Sequence, residues 1–107
     1  MDLHNKKCVP CEGGTLPFDK KETDKYLSIV SGWSTDDYLK VTKNFKFKNF
    51  KEALSFVNKV GEIAEQENHH PNIYLYGWNK VRITLTTHAI KGLSINDFIL
   101  ASKIERI

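Results

Sequence analysis

Between Asn49 and Glu67, apolar residues recur every three or four positions, at Phe50, Ala53, Leu54, Val57, Val60 and Ala64, and no other stretch constrains the fold as tightly. At about 100° per residue these side chains share one face of a helix, whose start is marked by Asn49 followed three residues later by Glu52. Phe56 and Ile63 fall beside that face and widen the apolar arc to about half the circumference. An arc this wide fits a helix packed deep in its own monomer or one that also touches a second subunit, and the sequence leaves both open. Pro71 prevents continuation, so the helix ends near His69-His70.

On both sides of this helix the hydrophobic period changes to two. Leu39, Val41, Phe45 and Phe47 share one parity, and Tyr38, Lys40, Thr42, Asn44 and Lys46 the other, which predicts a half-buried strand. Trp33 to Asp36 is expected to form a short partner strand, with a turn near Asp36-Asp37. Beyond Pro71, Ile73 and Leu75 alternate with Tyr74, Tyr76 and Trp78. A turn near Asn79-Lys80 leads into Val81, Ile83 and Leu85, which alternate with Arg82, Thr84 and Thr86 up to His88. Asp19 and Glu22 open an earlier helix expected over 20–31, ending near Gly32. Ser94 caps a last helix that carries Ile95, Phe98, Ile99, Ala101 and Ile104. The resulting order is α-β-β-α-β-β-α, an α+β arrangement in which hairpins build an antiparallel sheet and helices cover one face.

The chain has 107 residues, enough for one domain over 1–107 with an N-terminal arm over 1–18. So small a domain has much surface for its volume and can gain burial by self-association. Sixteen basic and thirteen acidic residues are interspersed, and this charge pattern does not single out nucleic acid as a partner. No apolar run is long enough to cross a bilayer, and the N-terminus lacks a hydrophobic signal core, so a cytoplasmic location is expected. Cys8 and Cys11, with only His4 nearby, fall short of the four ligands of a structural zinc site and are read as reduced thiols.

His69 and His70 end the central helix and His88 ends the last strand, places where sites are commonly built. Imidazoles titrate near neutrality and can serve acid–base catalysis without a metal. Each has an ordinary structural reading too: a helix C-terminus for the pair, a polar strand end for His88, and first-turn charge complementarity for Asp97. No carboxylate or cysteine joins the histidines at a recognised ligand spacing, which argues against a metal site.

In order and spacing, His69-His70-Pro71, the aromatic Trp78, His88 and Asp97 resemble the pterin-4a-carbinolamine dehydratases. The similarity extends through Asn79-Lys80-Val81, Thr86-Thr87-His88 and Gly92-Leu93-Ser94, and Cys8-Val9-Pro10-Cys11-Glu12-Gly13-Gly14 looks like the start of many bacterial members. The resemblance implies a four-stranded antiparallel sheet with helices on one side and assembly as a homodimer or homotetramer. It implies that His69, His70 and His88 catalyse loss of water from a 4a-hydroxytetrahydropterin, giving a quinonoid dihydropterin, with Asp97 and Trp78 supporting the substrate and no cofactor. A functional link to an aromatic amino acid hydroxylase would follow. Ile73, Trp78 and Lys91 depart from residues frequent in the family and bear on substrate fit. Some animal members also stabilise dimers of a homeodomain transcription factor, so the alternative is a protein-binding module or transcriptional coactivator using its helical surface.

Overall fold

The structure, a computed structural model, describes residues 2–9 and 15–107. Cys11 of the cysteine pair lies outside the described residues. The elements are α1 (Lys20–Leu27), β1 (Val41–Lys46), α2 (Phe50–Glu67), β2 (Asn72–Tyr76), β3 (Lys80–Leu85) and α3 (Ile95–Ile104), with short 3-10 turns at Leu3–Asn5 and His88–Ile90.

Helix starts follow the caps in the sequence. The Asp19 side chain accepts the Glu22 N–H, Asn49 accepts that of Glu52, and Ser94 and Asp97 close a reciprocal capping box. The first helix stops at Leu27, short of the expected 31, and the chain turns before Gly32, which has φ +80°. At the end of α2, Asn68 adopts the left-handed conformation (φ 51°), a short polar residue taking the role usual for glycine. His69 and His70 therefore stand beyond the helix on the turn, one step later than expected.

The sheet has three strands in the order β1-β3-β2, all antiparallel, with Val41 opposite Leu85 and Asn72 opposite Thr84. The expected fourth strand, Trp33 to Asp36, is reduced to a single bridge between Ser34 and Thr42. Side chains take the place of a ladder there. The Thr35 hydroxyl donates to the Lys40 carbonyl and accepts the Tyr38 N–H, Asp37 accepts the Leu39 N–H, and Tyr38 sits at φ 60°. Such local bonds offer the backbone an alternative to strand pairing, and Leu39 is left exposed.

Val81, Ile83 and Leu85 of β3 are fully buried and join one core with Val41, with Ala53, Phe56 and Val60 of α2, and with Phe98 to Ala101 of α3. The opposite sheet face carries Thr42, Asn44, Arg82 and Thr84 and remains open. On α2 the inward stripe is Ala53, Phe56, Val60, Ala64 and Glu67. Phe56, expected at the margin, packs its ring 4.6 Å from Phe45 and 4.9 Å from Phe47, whereas Phe50 and Leu54 are exposed. The apolar arc is centred toward the Phe56 edge because Phe45 of β1 and Phe47 just beyond it supply aromatic partners there. Among the described residues, no helix is long and apolar enough to cross a membrane.

Candidate active site

The left-handed Asn68 reverses the chain after α2, and the His69 N–H then bonds the Ala64 carbonyl at 3.2 Å. This turn brings the His69 ring to the first turn of α3, 28 residues on, where its Nε2 lies 2.7 Å from Asp97 Oδ1. The imidazole is 12% exposed and the carboxylate 0%. Asp97 Oδ2 accepts the Thr87 hydroxyl at 2.8 Å and the Ser94 N–H at 3.0 Å. Because the single Thr87 hydroxyl hydrogen points to Asp97, the Ser94 hydroxyl, 2.8 Å away, donates to Thr87. A buried carboxylate is costly unless its oxygens are hydrogen-bonded, and these donors meet that requirement. With Asp97 accepting, His69 Nε2 carries the hydrogen and Nδ1 is left as the atom that can exchange a proton.

His70 takes a different direction. Its Nε2 lies 2.6 Å from Glu65 Oε1, with the ring 57% and the carboxylate 79% exposed. It borders a shallow groove with Gly61, Ala64, Pro71 and Ile73. His88 opens the 3-10 turn after β3 and faces a concavity of about 690 Å³ on the open sheet side. Asn72, Thr84, Thr86, Arg82, Lys40 and Asp36 share that concavity. The register explains the proximity: Asn72 begins β2 opposite Thr84 near the end of β3, so the histidines before β2 and after β3 gather at one end of the sheet. His70 lines the groove on α2 and His88 the concavity on the sheet. Thr87 is the link, since it bonds Asp97 while its neighbours Thr86 and His88 both face the concavity.

Trp78 lies outside the strand on which its alternation with Tyr74 and Tyr76 set it. It stands in the β2–β3 turn, at φ 59° and 61% exposed, at the opposite end of the hairpin from the histidines. Five residues of strand separate the two ends, roughly 15 Å. Its alternation with Tyr74 and Tyr76 suggested a shared face, but Gly77, also at positive φ, has already turned the chain.

Sequence reasoning missed Thr87, whose only local signal is its place before His88, and it read Asp97 on its own as a helix-end charge. The structure gives Asp97 both tasks, since the carboxylate that completes the capping box also holds His69. It also missed Glu67, 8% exposed, which accepts the Cys8 N–H and the Lys103 ammonium, each at 2.8 Å. Burial pushes the Glu67 carboxyl up, but the Lys103 hydrogen bond, the Cys8 N–H and the nearby lysine charges outweigh it and hold the group below its ordinary range. Burial, followed by the charge of Glu67, pushes the Cys8 thiol up to about 12, so it stays protonated and unreactive near neutral pH.

Comparison with known proteins places the chain in a family. The family model described as pterin 4 alpha carbinolamine dehydratase matches residues 16–107. A relative from Halorhodospira halophila that carries the family's name is 50% identical over 109 residues, covering 100% of this chain and 98% of its own. Pterin-4-alpha-carbinolamine dehydratase 2, mitochondrial, from Arabidopsis thaliana is 44% identical over 110 residues, which span 99% of this chain and 59% of the plant protein. Among solved structures, the transcriptional coactivator/pterin dehydratase from Brucella melitensis aligns with a TM-score of 0.79 at 31% identity, covering 84% of this chain and 96% of that one. On the strength of the family match and these near full-length similarities, this chain belongs to the pterin-4a-carbinolamine dehydratase family.

Proposed function

We propose that His69, held by Asp97, and His88, on the open sheet face, exchange the protons in the dehydration that gives the family its name. A 4a-hydroxytetrahydropterin loses its hydroxyl as water. One proton joins the departing hydroxyl, one leaves a ring nitrogen, and a carbon–nitrogen double bond closes to give the quinonoid dihydropterin. The observation that carries the assignment is the 2.7 Å contact between His69 Nε2 and the buried Asp97. A carboxylate on one ring nitrogen fixes the tautomer and stabilises the imidazolium formed when the other nitrogen takes up a proton. The concavity beside His88 lies within the roughly 300–1,000 Å³ typical of small-molecule sites. His70 borders the separate α2 groove with Glu65 and plays a lesser part.

Stopped-flow measurement of 4a-hydroxytetrahydropterin dehydration tests this reading. His69→Ala and His88→Ala should each lower kcat while leaving circular dichroism unchanged, and the double variant should approach the uncatalysed rate. Wild-type activity in both single variants would reject the assignment.

The same reading includes self-association as a dimer or tetramer. It is supported by exposed Phe50 and Leu54 on α2 and by Ile73 at the start of β2. Light scattering on the wild-type chain and on Leu54→Asp checks it, and a wild-type monomer at micromolar concentration would remove it. The same exposed apolar residues favour the second reading, a protein-binding module, which takes over if the purified protein fails to accelerate dehydration.

A further inference from the structure

The His69–Asp97 contact joins two elements far apart in sequence, and residues 2–9 span the gap between them. Leu3, in the arm's 3-10 turn, is 1% exposed and packs in the main core. The Cys8 N–H then donates to Glu67 Oε1 at 2.8 Å, and the Val9 N–H donates to Asn96 Oδ1 at 3.0 Å. Asn96 returns a bond from its amide nitrogen to the Val9 carbonyl, and the Cys8 thiol lies 3.5 Å from the Asn96 carbonyl. Glu67 stands two residues before His69, and Asn96 immediately precedes Asp97. Lys103, from the far end of α3, closes the arrangement on Glu67 Oε2 at 2.8 Å. These contacts are buried or half-buried, and the arm precedes residue 16, where the match to the family model begins.

We infer that the N-terminal arm is a positioning element of the active site, in which Glu67 and Asn96 use the Cys8 and Val9 main chain to fix the end of α2 against the start of α3. The arm touches neither His69 nor Asp97 in any bond described above. It acts through the residues beside them, by holding the two backbones at the spacing that the 2.7 Å contact requires. Catalysis is sensitive to such spacing, since a misplacement of about 1 Å can cost up to about 10²-fold in rate. The catalytic consequence rests on the assignment of His69 and Asp97, whereas the structural one does not.

The clean perturbation is Val9→Pro, because Val9 is 58% exposed and lies outside every helix and strand, so the change removes the N–H that Asn96 accepts and leaves the core intact. A second pair is Glu67→Ala and Glu67→Gln, the glutamine retaining an acceptor for the Cys8 N–H. Two readouts are taken on the full-length protein: kcat and KM by stopped flow, and the His69 Nε2–H signal by proton–nitrogen NMR, assigned through its absence in His69→Ala. Val9→Pro and Glu67→Ala should lower kcat about tenfold with KM little changed. Both should broaden the His69 signal or speed its exchange with water, and Glu67→Gln should recover part of each effect. An unchanged His69 signal in folded Val9→Pro and Glu67→Ala overturns the inference whatever happens to activity, and the arm is then only a strap on the core. If His69→Ala keeps full activity while the His69 signal still responds to Val9→Pro, the catalytic assignment fails and the positioning of the pair stands.

Discussion

His69 and His70 are neighbours in sequence, and each places Nε2 within 2.7 Å of a carboxylate oxygen, yet the two pairs sit in opposite environments. Asp97 is fully buried and held by Thr87 and Ser94, while the Glu65 carboxylate that meets His70 is 79% exposed. Nearly equal distances therefore describe unequal interactions. In water, charges are screened and mobile side chains give up entropy to hold one geometry, so an exposed pair contributes little. In the interior, the lower dielectric strengthens the contact and the surrounding bonds fix the ring before any substrate arrives. Proximity of a histidine to an acid is thus a poor guide to function without the burial of both partners.

Four experiments would sharpen or break this contrast. The largest effect is expected at His69, where alanine should reduce kcat by about 10²-fold, less if the spontaneous reaction sets the floor. Stopped-flow dehydration with circular dichroism as a fold control checks it. Asp97→Ala comes next: it should cut activity by about tenfold or more and, by orphaning the Thr87 and Ser94 donors, destabilise the fold by about 1–3 kcal/mol in urea denaturation. If Asp97→Ala proved as active and stable as wild type, the buried pair would have no special standing over the exposed one.

The third effect concerns acid stability. Glu67 is held below its ordinary value in the fold, so its contribution is fully present above the unfolded carboxylate value near 4.3 and is lost as pH falls through the lower folded value. Glu67→Gln should therefore flatten the acid limb of a stability-against-pH curve, measured by chemical denaturation between about pH 2 and 6. An acid limb identical to wild type would show that Lys103 and the Cys8 N–H do not favour the charged form. The smallest effect belongs to the exposed pair, where Glu65→Gln should leave denaturation midpoints unchanged and alter kcat by less than about threefold. A larger loss on Glu65→Gln than on Asp97→Ala would reverse the ranking.

Local chemistry wrote much of this molecule into its sequence. The caps at Asp19, Asn49 and Ser94 set the helix starts because a side-chain oxygen three residues before a free N–H acts without help from the rest of the fold. Period-two alternation over Val81 to Leu85 gave β3 and its buried face, and the motifs that resemble the family gave the family. Where the sequence misled, a packing partner or a competing local turn decided. Phe56 turns inward because Phe45 and Phe47 wait there, Thr35 bonds to Lys40 and Tyr38 where a strand ladder was expected, and Trp78 lies in a turn whose left-handed residues leave only a weak trace in the alternation.

The sequence by itself determined the three helices, three of the four expected strands, the placing of histidines at element ends, and the residue types able to move protons. Tertiary structure alone decided that His69 meets Asp97 while His70 meets Glu65, and that Cys8 and Val9 reach Glu67 and Asn96. The reason is one of range. Caps and periodicity act over a few residues, but contacts 28, 59 and 87 residues apart exist only after the core has packed and set the helices against each other.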